Sequence, residues 1–86
     1  MFSKRFGKPI VITDHARGRM TARAISDALL LDMIETGEVR HKDESRIWIA
    51  KQYADRADNM LCAAAMLETA LVIKTVMHHF FWEFGS

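Results

Sequence analysis

The chain has 86 residues, half of them hydrophobic and 27% charged, with a formal net charge of +1. That balance bounds it to one globular domain and excludes a disordered chain or a second core. The single cysteine, Cys62 in "NMLCAAAML", excludes an internal disulfide and a thiol-rich metal site, and a buried inert thiol is expected there.

No run of about 18 apolar residues occurs, so no membrane-spanning helix is expected. The apolar patch Ile10–Thr13 is too short for the core of a signal peptide, and a cytoplasmic protein is expected. Charge is uneven along the chain. Residues 1–24 hold six basic residues against Asp14 alone, a net of +5, and the rest carries −4. That asymmetry points to an anionic partner near the N-terminal third. The bland alternative is that the two parts neutralise each other in the fold.

In chain order, residues 1–8 read as a mobile basic arm, carrying Lys4, Arg5 and Lys8. "PIVIT" reads as a first strand, with proline at its start where a missing N–H matters least. Thr13 is an N-cap with Asp14 in the first turn, and a helix is expected from Asp14 to about Ala24, with Ala16, Met20 and Ala24 on its buried stripe. A second helix follows Ser26 as N-cap, with Leu30, Met33 and Ile34 inward and Leu29 and Leu31 beside them. Gly37 fits the left-handed position after a helix end.

Beyond Gly37 the period changes to two. "EVRHK" is a weak strand and "DES" a turn. "RIWIAKQY" alternates, with Ile47 and Ile49 on one face and Trp48 and Ala50 on the other. "MLCAAAML" is apolar on both faces, which suits a central strand, although its three alanines also suit a helix. "LVIKTVMHHF" is a last strand, expected to place Lys74, Val76 and His78 on one face. The order β-α-α-β-β-β-β gives an α+β domain: an antiparallel sheet with two N-terminal helices on one face. The tail 78–86, with its aromatics, is expected either to dock back on the sheet or to meet a second copy in a homodimer.

"TDHARGRMTAR" carries the candidate chemistry. On an ideal helix His15, Arg19 and Arg23 fall at i, i+4, i+8, along the border of the buried stripe, placed by packing yet reachable. An imidazole serves as acid or base near neutral pH, and an arginine offers a fork for phosphate. Metal-independent RNA cleavage needs a proton carrier for the 2′-hydroxyl and a cation for the charge on phosphorus. Arg17 joins Lys4, Arg5, Lys8, Arg19 and Arg23 as a candidate nucleic-acid contact. No cofactor and no metal site are expected. The structural alternative is that the histidine pairs with the cap or a strand backbone, and the arginines with Glu35, Glu38 or a helix-end carbonyl. Trp48, Tyr53 and the C-terminal aromatics suit base stacking, core or interface roles.

With "TDHARGRMTARAIS", "LLLDMIETGEV" and "LVIKTV" taken together, residues 10–77 resemble a bacterial family of small domains of unknown function. Its first helix carries a His-Ala-x-x-Arg-Met-x-x-Arg pattern, here His15, Ala16, Arg19, Met20 and Arg23. Gly37, Thr75 and Val76 match further positions, and Ala24 stands where the family more often has glycine. That family is similar to the RelE-like toxin superfamily of small α+β ribonucleases in toxin–antitoxin systems. The resemblance implies RNA as substrate, an antitoxin protein as partner, and His15, Arg19, Arg23 and Thr75 as site residues. A non-catalytic binder of DNA or RNA, or a protein-interaction domain, is the alternative.

Overall fold

The computed structural model describes residues 1–82. Its strands are β1 (Phe2–Ser3), β2 (Lys8–Ile12), β3 (Glu38–His41), β4 (Arg46–Gln52), β5 (Met60–Leu67) and β6 (Leu71–Phe80), and its helices are α1 (Asp14–Ala22) and α2 (Asp27–Thr36). The sheet order is β1-β2-β6-β5-β4-β3. It is a mixed sheet: every pairing is antiparallel except β2 with β6, which run parallel through Ile10–Leu71, Val11–Val72 and Ile12–Ile73. The expected purely antiparallel sheet is corrected here, and the connections explain why. A pair of helices returns the chain to the end of the sheet it left, so β3 runs opposite to β2. Three successive antiparallel pairings then leave β6 running with β2.

Both helices begin as the caps require. The Thr13 hydroxyl accepts the Ala16 amide at 3.1 Å, and the Ser26 hydroxyl accepts the Leu29 amide at 3.1 Å. The core lies between the helices and one face of the sheet, where Ala16, Met20, Leu30, Met33, Ile34, Ile47, Ile49, Leu61, Leu71, Ile73 and Val76 are buried. Each fully buried aliphatic side chain contributes about 1.5–3 kcal/mol. "MLCAAAML" is a strand, β5, between β4 and β6. Its alanines leave room for Ile47, Ile49 and Val76 of the flanking strands. Cys62 is buried, and burial pushes its thiol up to about 12.

Residues 1–8, expected as a mobile arm, fold onto the body. β1 pairs with β2, turning at Gly7, whose φ of +65° suits glycine. Ser3 is fully buried and its hydroxyl donates to Glu35 at 2.8 Å, while the Lys4 and Arg5 amides donate to the same carboxylate. Burial raises the Glu35 pKa, but these three donors outweigh it and hold the carboxyl below its ordinary value.

Three local expectations are corrected. Gly37 is extended, at φ −75° and ψ 169°, not left-handed. A Cβ there would come within 2.6 Å of the Met33 carbonyl oxygen and 2.9 Å of that of Ala50, so close approach requires the glycine. The helix that ends in a left-handed residue is α1, at Ala24 with φ 54°, and Ala24 is exposed past the helix end rather than on its buried stripe. It ends α1 in a Schellman turn, with the Ile25 amide on the Met20 carbonyl at 2.9 Å and the Ala24 amide on Thr21 at 3.3 Å. Alanine is strained in that conformation by about 1–2 kcal/mol. Ala24→Gly is therefore expected to stabilise the fold by roughly 0.5–1 kcal/mol after glycine's greater freedom when unfolded is deducted. Thermal melts would show this as a rise of a few degrees.

Finally, Lys74 and Val76 do not share a face. Ala64 pairs with Thr75 but Ala65 pairs with Ile73, so β6 carries an extra residue at Lys74. This bulge leaves Lys74 exposed between Ile73 and Val76, both fully buried.

Candidate functional site

The bulge and the short β2 together create the site. β2 meets β6 only at Leu71–Ile73, so from Lys74 onward the β2-side edge of β6 has no strand partner among the described residues. α1 starts there. Thr13 ties it down: its amide and hydroxyl both donate to the Ile73 carbonyl, at 3.2 and 3.0 Å, and the hydroxyl also lies 3.3 Å from that of Lys74. Two residues on, His15 Nε2 lies 3.2 Å from the Thr75 hydroxyl. With the proton on Nε2 donated to Thr75, Nδ1 carries the lone pair, and no protein group among the described residues engages it. The imidazole is exposed, and it is oriented by a residue sixty positions away in the sequence.

The arginines of the row differ. Arg19 is exposed one turn beyond His15 and makes no ion pair or hydrogen bond through its side chain among the described residues. Arg23 is half-buried at the helix end, and its Nε is buried with no hydrogen-bond partner among the described residues. Neither pairs with Glu35 or Glu38: Glu35 serves residues 3–5, and Glu38 pairs with Arg40 at 2.7 Å. Arg17 pairs with Asp27 across the two helix starts. Arg5 is also committed, its guanidinium donating to the carbonyls of Ile34 and Gly37 at the end of α2, at 3.1 and 2.7 Å. Lys4 is exposed and Lys8 half-buried. Of the basic residues read from the sequence, Arg19 and Lys4 stay exposed with no side-chain pairing among the described residues.

Two clusters had no sequence signal. The Arg56 guanidinium donates to the carbonyls of Arg23 and Ala24, at 2.8 and 3.0 Å, taking up the end of α1, and forks onto Asp58 at 2.7 and 2.9 Å. Asp58 also receives His78 Nδ1 at 3.2 Å. The Arg56 hydrogen bonds hold the Asp58 carboxyl far below the usual carboxylate range against the opposing effect of burial, with His78 adding to it. Stabilisation from this carboxylate is present above its unfolded value near 4 and is lost as pH falls toward the depressed one. Asp58→Asn is thus expected to lower the melting temperature at neutral pH, with the gap from the parent narrowing steadily below about pH 4. In the second cluster, Asp32 accepts Tyr53 Oη at 2.6 Å and Lys51 Nζ at 2.9 Å, locking α2 to β4. Both clusters read as architecture: they hold helix ends and faces in place.

A family model described as a domain of unknown function (DUF4258) matches residues 12–78. The chain belongs to that family. The match spans α1, with the His15 row, and continues through β6 to His78, so both partners of the His15–Thr75 contact lie within the DUF4258 region. Comparison with curated proteins and comparison with solved structures each gave no match. Among the described residues no group of three or more His, Cys, Asp or Glu is placed to hold a metal, and no helix is long and apolar enough to cross a membrane.

Proposed function

We propose that this DUF4258 domain is a metal-independent ribonuclease of the RelE-like toxin kind, with the start of α1 as its active site. The observation that carries this reading is the exposed His15 imidazole, held on Thr75, one helical turn from Arg19, with one ring nitrogen and the Arg19 guanidinium both unengaged among the described residues. His15 Nδ1 removes the proton from a 2′-hydroxyl. The 2′-oxygen attacks phosphorus, the bond from phosphorus to the 5′-oxygen breaks, and the leaving oxygen takes a proton from solvent. The products are a 2′,3′-cyclic phosphate and a 5′-hydroxyl. Arg19 holds the charge that develops on the phosphoryl oxygens, and Arg23 lies a turn further along the same row. An antitoxin protein that covers α1 is the partner this reading entails.

The test is cleavage of end-labelled single-stranded RNA in EDTA by the parent chain and by a folded His15→Gln variant. Cleavage by the parent that the variant lacks supports the proposal. Binding without cleavage by either protein would replace it with a nucleic-acid binder that uses the same arginines.

A further inference from the structure

The face of the sheet turned away from the helices carries a second feature. Residues paired across antiparallel strands point to the same face, and Arg40, Trp48, Ala64 and Thr75 are paired in turn from β3 to β6. With strands about 4.8 Å apart, this row runs about 15 Å, from Arg40 to the hydroxyl that holds His15. A groove of about 340 Å³ lined by Arg40, His41, Lys42, Trp48 and Trp82 lies at its far end. A shallower one of about 180 Å³, which shares Lys42 and Trp48 and reaches Lys74, continues toward β6.

The floor of the larger groove is aromatic, and the smaller one shares Trp48 with it. Trp82 lies over Trp48 with ring centres 6.2 Å apart and planes 17° from parallel, and the Arg40 guanidinium sits 4.1 Å from the Trp82 ring centre. Trp82 Nε1 is buried with no hydrogen-bond partner among the described residues. Ala64, the small member of the row, leaves space between Trp48 and Thr75. The rim is basic. Arg40 is balanced by Glu38 and Arg46 by Asp43, but Lys42 and Lys74 are exposed and make no ion pair among the described residues.

We infer that this face binds single-stranded nucleic acid, with unpaired bases stacked on the Trp48–Trp82 platform and phosphates on Lys42 and Lys74. The charge of the rim selects a polyanion, and the aromatic floor selects one whose bases are exposed, which a duplex does not offer. The row leads the strand to the His15 edge. This inference therefore deepens the ribonuclease reading, on which its account of the strand's direction rests, while binding itself does not depend on cleavage.

The experiment is titration of the whole chain carrying His15→Gln with a uridine 12-mer, followed by tryptophan fluorescence and by filter binding at several salt concentrations. Quenching is expected, with weaker binding of a duplex of equal length. Trp48→Ala is expected to weaken binding roughly 5- to 150-fold, and Trp48→Phe, which keeps a stacking face, much less. Lys42→Gln with Lys74→Gln should reduce the slope of log affinity against log salt by about 1.4. Circular dichroism establishes that each variant is folded, and the lysine pair tests the surface even if Trp48→Ala does not fold. The inference is overturned if the duplex binds as well as the single strand, or if folded Trp48 and lysine variants bind like the parent. It is equally overturned if the parent sediments as a dimer that Trp48→Phe or the lysine changes dissolve, since a second copy would then cover this face. Absence of cleavage by the parent alongside intact Trp48-dependent binding would remove the ribonuclease reading and leave this one standing.

Discussion

His15→Gln is expected to lower RNA cleavage in EDTA by about 10²–10⁴-fold, the usual worth of a positioned proton carrier. Glutamine keeps a polar group that can reach the Thr75 hydroxyl, and position 15 is exposed, so stability should stay within about 0.5 kcal/mol of the parent. Rate and stability are thereby separated: the variant loses the proton carrier and keeps the fold. Thr75→Val makes a useful companion. It removes the hydroxyl that orients the ring but not the imidazole, and a smaller loss of rate is expected from it. A variant that cleaved as fast as the parent would rule out His15 as the base. Labelled RNA followed through time with matched circular dichroism spectra provides both readings.

Gly37→Ala is expected to have the largest effect on stability, a loss of about 2–3 kcal/mol, or roughly 10–20 °C in melting temperature. The new methyl would meet two backbone carbonyl oxygens, those of Met33 at 2.6 Å and Ala50 at 2.9 Å, and the Ile49 side chain at 3.0 Å. Backbone cannot step aside as a flexible side-chain tip can. Relief would require α2 to lift from β4, disturbing Ile34 and Ile49 in the core. Gly18→Ala is the control. That glycine lies inside α1 with open space around it, and alanine there should stabilise by about 1 kcal/mol. The same chemical change is thus expected to have opposite signs at two positions, and a pair of thermal melts would check both.

The two helices were legible because their signals are local. A capping hydroxyl, an acid in the first turn and a stripe of Leu30, Met33 and Ile34 all fall within about ten residues of one another. The strand pairing was not legible in the same way. Nothing in "PIVIT" states that its partner is Leu71–Ile73, and the parallel pair follows only from the whole path of the chain. The bulge at Lys74 interrupts a run rich in β-branched residues and carries no glycine or proline to mark it, so simple alternation gave Lys74 and Val76 the same face. The N-terminal segment read as an arm because its main anchor, Glu35, is bound partly by backbone amides, which leave no mark in a sequence.

The candidate site was legible in part. The His15, Arg19 and Arg23 row followed from helical spacing, whereas Thr75 came from the family resemblance, and only the fold brings it to the imidazole. Arg56 and Asp58 left no signal of their role, since no spacing rule joins them to a helix end some thirty residues earlier. The tail was expected either to return to the sheet or to meet a second copy. Trp82, lying over Trp48, takes the first course; residues 83–86 fall outside the described residues.

The parallel pairing of β2 with β6 also sets an order of events during synthesis. β2 and the start of α1 are made some sixty residues before the partners they need: Ile73 as ladder partner, Thr75 as the support for His15. Until then the imidazole has no fixed orientation and the β2 side of the sheet has no neighbour to join. A nascent chain therefore holds its basic row without the strand that orients it, and pairing across about sixty residues carries the loop-closure entropy that slows non-local contacts in general. An enzyme that attacked RNA would in this way stay harmless to the message that encodes it until β6 had been made.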